Sequence, residues 1–350
     1  MAEALNIRDA YVLTKVIKAG LPDDSGEADA GFTWKKLAPR VDYTKRRIRL
    51  ELHKYVAFGA GQYKAPNAAF PIAMVKTQVT EMWISAVDLA EQVHLTESDI
   101  YESEGGLVPA DQLSDIAAQG RWLLRRNQRT EELMRRDVVW NQLNITFPNG
   151  ATIGPLATYG PYAATHIVNN AISWATVATA TPLNDVRTWR RLIKRDSDQP
   201  AYWMHINDTW WHNLRTTTQM RNLIPNLPKA GSVLPTMGEI ADLMGLKGIV
   251  VYDGGWARES DGVFVDMMRN GWIVLTSDYT VAGEKILETG YFPVLRPIGG
   301  RNRMIGADEA DMFIVDDLIN SQTYLRCHTA RMAWINRPDC IVLANVNAGA

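Results

Sequence analysis

The sequence predicts an α+β fold in which long extended elements project from a compact body. Three features point there: long polar strands in the first third, one unbroken helical period of about thirty residues, and short apolar strands mixed with helices after it. No internal repeat is present.

From Met1 to about Gly31 the chain is polar, with a short amphipathic piece from Tyr11 to Ile17 and a turn-rich run Pro22-Asp23-Asp24-Ser25-Gly26-Glu27, which predicts an arm. Arg46 to Phe58 and Phe70 to Met82 read as two polar strands joined by a Gly- and Pro-bearing tip. Neither has enough apolar side to lie inside a sheet, so they predict a projecting hairpin. Pro109 opens a helix over 111–140. Leu113, Ile116, Gly120, Leu123, Leu124, Met134 and Val138 share its apolar face, and Arg121, Arg125, Arg126, Arg129, Arg135 and Arg136 fill the rest. Glu131 with Arg135 and Glu132 with Arg136 have the favourable i, i+4 order. At 1.5 Å per residue the helix exceeds about 40 Å. Gln142 to Phe147 and Ala151 to Leu156 then flank Pro148-Asn149-Gly150 as a hairpin.

A second region begins at Thr181, a cap for a helix with Pro182 in its first turn and Val186, Trp189, Leu192 and Ile193 facing inward. Ala201 to Ile206 reads as a strand, Asn207 or Asp208 caps a helix to Leu214, and Pro235 to Met244 is a helix closed by Gly245. Ile249 to Trp256, Val263 to Met268 and Trp272 to Thr276 predict a meander with turns at Asp261-Gly262 and Asn270-Gly271. A long strand from Thr323 to Ile335, a break at Arg337-Pro338-Asp339 and a buried strand from Cys340 to Val346 close the chain.

Composition excludes several classes. No apolar run reaches the roughly 20 residues of a spanning helix, and Met1-Ala2-Glu3-Ala4 lacks the basic start of a signal peptide, so neither membrane contact nor a leader is expected. With 37 basic and 39 acidic side chains, the chain is not built to condense on nucleic acid. Cys327 and Cys340 give no metal spacing and fit a reducing compartment. Twelve tryptophans, among them Trp203, Trp210, Trp211, Trp256 and Trp272, suit either a large core or extensive interfaces.

The strongest catalytic candidate is His205, Asp208 and His212, where a strand end meets the first turn of a helix and could hold a metal or share a proton. Each residue also has a structural role: a strand histidine, a helix cap and a helix-end cation. The glycine pairs at Gly105, Gly254 and Gly299 lack the setting of a phosphate loop, and Ser232 and Ser277 that of a nucleophile elbow. His328 beside Cys327 alternates to the other face of its strand. No catalytic, cofactor-binding or metal residue is therefore assigned. Glu131, Glu132 and Asp137 dilute the arginine helix, so a solvated or subunit-facing side is expected there in place of a nucleic-acid groove.

The order of elements and four stretches in particular resemble the phage major capsid protein E family, lambda-type, whose shells use the Hong Kong ninety-seven capsid fold. Arg125 to Gly150 is similar to its spine helix and following strand, Asp185 to Leu214 to its helix, strand and Trp-bearing helix, Ile249 to Leu275 to its aromatic-rich hairpin, and Ala333 to Val346 to its closing strand introduced by Pro-Asp. Before Leu107 the likeness is one of layout. The resemblance implies a tailed-phage major capsid fold: an N-terminal arm over 1–31, an extended-loop region over 32–108, a peripheral domain over 109–180 with the spine helix and hairpin, an axial domain over 181–322, a return strand over 323–337 and a closing axial strand over 338–350.

The implied function is mechanical and not enzymatic. Copies assemble as pentamers and hexamers of an icosahedral shell around double-stranded DNA, in a virion assembled in the host cytoplasm, with no cofactor and no membrane. The partners are the chain itself, a separate scaffolding protein, since the arm is too short to be a fused one, a portal, a possible decoration protein, and DNA touched non-specifically. Inter-subunit contacts are expected at Arg46, Arg47, Tyr55, Tyr63, Lys64 and Phe70 of the loop and at Arg121, Arg125, Arg129 and Arg136 of the helix. Some relatives cross-link Lys to Asn; Lys64 and Asn67 lie in the loop, where ordinary polarity accounts for them. An encapsulin-like nanocompartment shell would share the fold. A soluble α/β metal-dependent hydrolase using His205, Asp208 and His212 is the alternative of a different class.

Overall fold

The structure, a computed structural model, describes residues 5–6, 34, 37–55, 77–95, 107–108, 110–140, 145–146, 152–153, 162–223, 234–252, 254–257, 262–281, 283–298, 301–305, 312–317 and 322–347. In chain order the first strands are β1 (Leu5–Asn6), β2 (Arg40–Asp42), β3 (Arg47–Tyr55), β4 (Thr77–Ser85), β5 (Val87–Leu95) and β6 (Leu107–Val108). They are followed by helix α1 (Ala110–Val139), β7 (Ile145–Thr146), β8 (Thr152–Ile153) and β9 (Ile167–Asn169). Then come α2 (Pro182–Ser197), β10 (Trp203–Ile206), α3 (Asp208–Thr216), α4 (Thr218–Leu223), α5 (Met237–Met244), β11 (Gly248–Val251), β12 (Gly255–Ala257), β13 (Phe264–Asp266) and β14 (Trp272–Thr276). The last are β15 (Thr280–Val281), β16 (Glu284–Lys285), β17 (Leu287–Phe292), β18 (Val294–Ile298), β19 (Arg301–Ile305), β20 (Met312–Asp317), β21 (Gln322–Ile335) and β22 (Ile341–Asn345).

The first sheet is organised by β21. One edge pairs with β5 from Thr323 to Arg331. The other edge is shared, with β20 pairing along Gln322 to Cys327 and β17 along Ala330 to Ile335; β2 extends the sheet beyond β17. Alternation along β5 turns Leu95 inward and leaves Asp88, Ala90, Gln92 and His94 exposed. Helix α1 lies on the inner face, where Ile116, Ala117, Leu123 and Leu124 meet Leu95, Leu325 and Cys327. The 3.6-residue period explains the helix: Ile116, Gly120, Leu123, Leu124, Asn127, Glu131, Met134 and Val138 are buried on one side, and Arg136 in the last turn suits the negative helix end.

The second sheet runs β11-β10-β14-β22-β9. Its central strands are buried on both faces, which is why they read as continuous apolar runs. Ile273, Leu275, Val342 and Ala344 face a core with Trp189, Ile193, Trp211 and Met244 of the helices. Their alternates Val274, Ile341 and Leu343 face the core that contains Trp34, Met134, Trp140, Tyr252 and Trp334. That second core is continuous with the first sheet and with the end of α1, so the two sheets share it.

Local signals account for the helix boundaries. Asn207 Oδ1 accepts from Trp210 N at 2.9 Å, which makes Asn207 the cap of α3 and places Asp208 in its first turn. Thr236 and Glu239 form a reciprocal capping box on α5, and Gly245 ends it at φ 67. Thr181 precedes α2 without donating or accepting a side-chain cap bond, so Pro182 and Asp185 in the first turn are the remaining start signals.

Several expectations need correction. The meander is absent: β11 lies parallel to β10, while β14 is antiparallel to both β10 and β22. The stretch read as one strand from Ile249 to Trp256 is two, and β12 pairs with β13 as a separate ribbon. The hairpin β3–β4 is present with Arg47 opposite Ser85 and Tyr55 opposite Thr77; the earlier part of the second strand expected from Phe70 lies outside the described residues. Strand β5, which the sequence reading passed over, follows it at once. After α1 the described pairing is short, Ile145 with Ile153 and Thr146 with Thr152. The amphipathic piece Tyr11 to Ile17 lies outside the described residues.

Candidate assembly interface

The exposed side of α1 carries the predicted arginines. Arg125 and Arg129 are exposed and Arg121 is half-buried, with Trp122 between them at 52% exposure. An indole this open on a helix of a folded body is a surface feature suited to a partner. The Arg126 guanidinium stacks 4.7 Å from the Trp122 ring centroid and forks onto Glu91 of β5 at 2.9 and 3.1 Å. Arg126 thus ties the helix to the sheet and fixes the indole. Arg136 is half-buried and donates to Asp137 at 2.6 Å. The expected Glu132–Arg136 pair is therefore corrected: Glu132 binds Arg135 in its place.

Where the hairpin leaves the sheet, Arg46 is half-buried and pairs with Asp88 of β5 at 2.5 Å; His328 of β21 contacts the same carboxylate at 3.3 Å. Burial acts to raise the Asp88 pKa, but His328 and Arg46 outweigh it and hold the carboxyl below its usual range. Ile84 at the same root is fully buried and Ile48, opposite it, packs against the same core, so apolar contact and an ion cluster both anchor the hairpin. Arg47 is exposed and stacks 4.8 Å from the ring of Trp83, itself 53% exposed. Tyr55 closes β3 opposite Thr77. Tyr63, Lys64, Asn67 and Phe70 lie outside the described residues.

Sequence reasoning missed a buried charge network at the other end of α1. Glu131, Glu132, Arg135 and Arg331 are at most 6% exposed. Glu131 accepts from Arg135, from Arg331 of β21, and from the Tyr291 hydroxyl of β17 at 2.5 Å. Glu132 accepts from the backbone N–H of Trp34 at 2.6 Å, from the Tyr252 hydroxyl at 3.1 Å and from Arg135 Nη1 at 3.0 Å. Arg135 Nε reaches Thr289 Oγ1 at 2.9 Å, and that hydroxyl donates to the carbonyl of Ala38 at 3.0 Å. Burial works against ionisation of Glu131, but Arg331 and Arg135 prevail and keep its pKa low. At Glu132 burial prevails over Arg135 and the bonds from Trp34 and Tyr252 and pushes the pKa up.

Arg135 is thus no surface residue, contrary to the expected solvated stripe. The signal was present: Asn127, Glu131, Met134 and Val138 continue the spacing of the apolar face.

The proposed catalytic trio is not assembled. His205 is fully buried, stacked at 5.5 Å on Trp34 and tilted against Tyr279 at 6.2 Å, and neither ring nitrogen has a hydrogen-bond partner. Asp208 and His212 are exposed on α3, where the His212 ring faces Arg215 at 3.4 Å. Among the described residues no group of three or more His, Cys, Asp or Glu is placed to hold a metal. No described helix is long and apolar enough to cross a membrane.

No protein-family model matches the chain, and no curated protein does. Solved structures do. A phage-related protein from Bordetella bronchiseptica RB50 is 13% identical and superposes with a TM-score of 0.60, covering 99% of each chain. A protein assigned as the capsid protein of a prophage of Escherichia coli CFT073 is 15% identical with a TM-score of 0.59, covering 98% of this chain and 99% of that one. At these identities the likeness is one of fold: over nearly its whole length the chain has the α+β architecture of the Hong Kong ninety-seven capsid type, with α1 in the place of the spine helix.

Proposed function

We propose that the chain is a phage major capsid protein, close to the major capsid protein E family, whose copies form pentamers and hexamers of an icosahedral shell around double-stranded DNA. One observation carries the reading: the full-length fold match to a prophage capsid protein, with spine helix and projecting hairpin in place. An isolated two-stranded ribbon is marginal in water, so β3–β4 needs a surface to lie on, and a neighbouring copy supplies one. Arg46, Arg47, Tyr55, Tyr63, Lys64 and Phe70 on the loop, and Arg121, Arg125, Arg129 and Arg136 on the helix, are the proposed inter-subunit residues. Open Trp83 and Trp122 beside them support this.

The domain division proposed from sequence is retained as arm, extended loop, peripheral and axial parts. Strand pairing supports drawing Leu287–Phe292 and Met312–Asp317 with the peripheral sheet and Ile167–Asn169 with the axial one. A separate scaffolding protein, a portal and a possible decoration protein are the proposed helpers, and the virion capsid, assembled in the host cytoplasm, is the proposed location. Near-neutral charge supports loose, non-specific contact with packaged DNA.

Negative-stain imaging of the purified chain, with and without a candidate scaffolding protein, tests the reading. Ring or shell particles are expected, uniform in size only with the helper. A monodisperse, fully folded monomer at high concentration under both conditions refutes the assembly, and uniform closed shells from the chain alone refute the need for a helper.

A further inference from the structure

Helix α2 presents one side to solvent, and that side is basic. Asn184, Arg187, Thr188, Arg191, Lys194 and Arg195 are its exposed residues. Spacings of three and four place them in one stripe, opposite Val186, Trp189 and Ile193, which are buried against the second sheet. Among the described residues Arg187 and Arg191 have no ion-pair or hydrogen-bond partner. Lys194 pairs with Asp198 at 2.7 Å and Arg195 with Asp196 at 2.6 Å. Exposed pairs of this kind hold little energy, so another anion can compete for both bases. The remaining acid of the helix, Asp185, is engaged elsewhere, accepting from Asn170 and from the Trp174 indole at 2.9 Å each. Arg190 leaves the stripe and donates to the carbonyl of Met244 at 2.6 Å, at the end of α5. The acids of α5 are Glu239, held in its own capping box, and the exposed Asp242.

The make-up of the stripe decides what it suits. None of the exposed side chains of α2 is apolar, whereas a contact between proteins has an apolar centre. Arg, Lys, Thr and Asn are donors that proteins aim at phosphate oxygens. From Arg187 to Arg195 the stripe runs about 12 Å at 1.5 Å per residue. Duplex DNA offers one charge per about 1.7 Å of its axis, so a single duplex meets several of these bases at once.

We propose that the exposed stripe of α2 is where the chain contacts the phosphates of packaged double-stranded DNA, and that this side of the subunit faces the lumen of the shell. The inference rests on the assembly reading above and names the surface for its DNA contact. Bases gathered in one stripe on a chain of near-neutral charge confine the attraction to that surface and keep it weak, salt-dependent and blind to sequence.

Two measurements test this. Full-length subunits are titrated onto a labelled short duplex of mixed sequence, followed by fluorescence anisotropy over a range of salt. Each phosphate contact contributes about 0.9 to the slope of log affinity against log salt. Arg187→Gln with Arg191→Gln is therefore expected to bind more weakly at low salt, with a slope shallower by about 2, and to unfold in urea like the wild type. Lys45→Gln, which removes an exposed base before β3, is expected to keep the wild-type slope. Thr188→Cys reports the location. A bulky polyethylene-glycol maleimide is expected to label it in dissociated subunits and not in closed particles, the native Cys327 and Cys340 being buried.

An unchanged slope in the double arginine variant overturns the proposal, and so does full labelling of Thr188→Cys in closed particles, which puts the stripe outside. An equal loss of slope per charge from Lys45→Gln overturns it too, because affinity would then follow net charge and not this surface. Wild-type DNA affinity in the double variant with loss of particles beside a scaffolding protein would make the stripe a protein contact in place of a phosphate site. If the wild type forms particles but binds no duplex, the DNA contact falls and the assembly reading stands. If it binds duplex through the stripe but forms no particles, the assembly reading falls and the luminal placement falls with it.

Discussion

Replacing His205 by Phe isolates one proton. The ring is fully buried between Trp34 and Tyr279, and burial pushes its pKa down to about 4. An unfolded histidine titrates near 6.5. Between those values the unfolded chain binds a proton that the folded chain refuses, so stability falls as pH falls from about 6.5 to about 4. Roughly 2.5 units at about 1.4 kcal/mol each give a loss of about 3 kcal/mol across that window. His205→Phe keeps an aromatic ring against Trp34 and removes the titration, so its stability is expected to be flatter with pH. At pH 7 the variant should be at least as stable as the wild type, because the neutral imidazole buries an N–H with no acceptor. Urea unfolding of dilute subunits followed by tryptophan fluorescence, stepped through this pH range, gives the comparison. Parallel pH profiles for the two proteins would refute the argument.

Other expectations concern the network and the turns. Arg135→Met leaves Glu132 buried without a cation and is expected to cost about 3–5 kcal/mol at pH 7; adding Glu132→Gln should recover part of this, and purely additive losses in the double mutant would contradict the coupling. Gly271 sits at φ 79, where an added Cβ would lie 2.8 Å from the Cβ of Asn347. Gly271→Ala should therefore cost about 1–3 kcal/mol in thermal unfolding; an unchanged melting point counts against the turn geometry. His212→Ala, at an exposed ring on α3, is expected to leave assembly and unfolding unchanged, and a loss of shells would reopen a role for that residue.

Legibility from sequence followed the range of the interaction. Helix α1 and strand β21 were read nearly to the residue, because a 3.6 or a 2.0 period repeated over many residues needs no partner to be visible. The turns at Gly262 and Gly271 were legible too, since positive φ selects glycine locally. The meander failed because adjacency in sequence was taken for adjacency in the sheet. β11 returns parallel to β10, and β12 and β13 pair as a separate ribbon before β14 comes back between β10 and β22. Strand β5 was missed because its alternate residues are exposed and its pairing partner lies more than two hundred residues away in β21. The surface arginines were placed by charge alone, which cannot distinguish Arg129, exposed, from Arg135, buried: Arg135 binds Thr289, which arrives from distant β17, and Glu131, which also receives Arg331 and Tyr291 from distant strands.

Those distant arrivals explain why ions are buried at all. Four chain segments converge on Glu131 and Glu132: the stretch with Trp34 and Ala38, strand β17 with Tyr291 and Thr289, strand β21 with Arg331, and Tyr252 just beyond β11. A well-packed apolar cluster at such a place is often as stable as the ions or more so, but it accepts sliding, whereas directed bonds fix one arrangement. In a subunit whose copies must close a shell, a small error in the angle between two sheets accumulates over many contacts. The separation of stability from uniformity is testable with one variant: Glu131→Leu, Glu132→Gln, Arg135→Met, Arg331→Leu and Tyr291→Phe. The amide that replaces the Glu132 carboxylate would still accept from the Trp34 N–H and the Tyr252 hydroxyl, and no charge remains buried there. Unfolding free energy is expected within about 2 kcal/mol of wild type or above it, while particles imaged with a scaffolding protein become heterogeneous in size. Uniform particles from that variant would mean that the ions serve stability alone and that the joint between the sheets is held by packing.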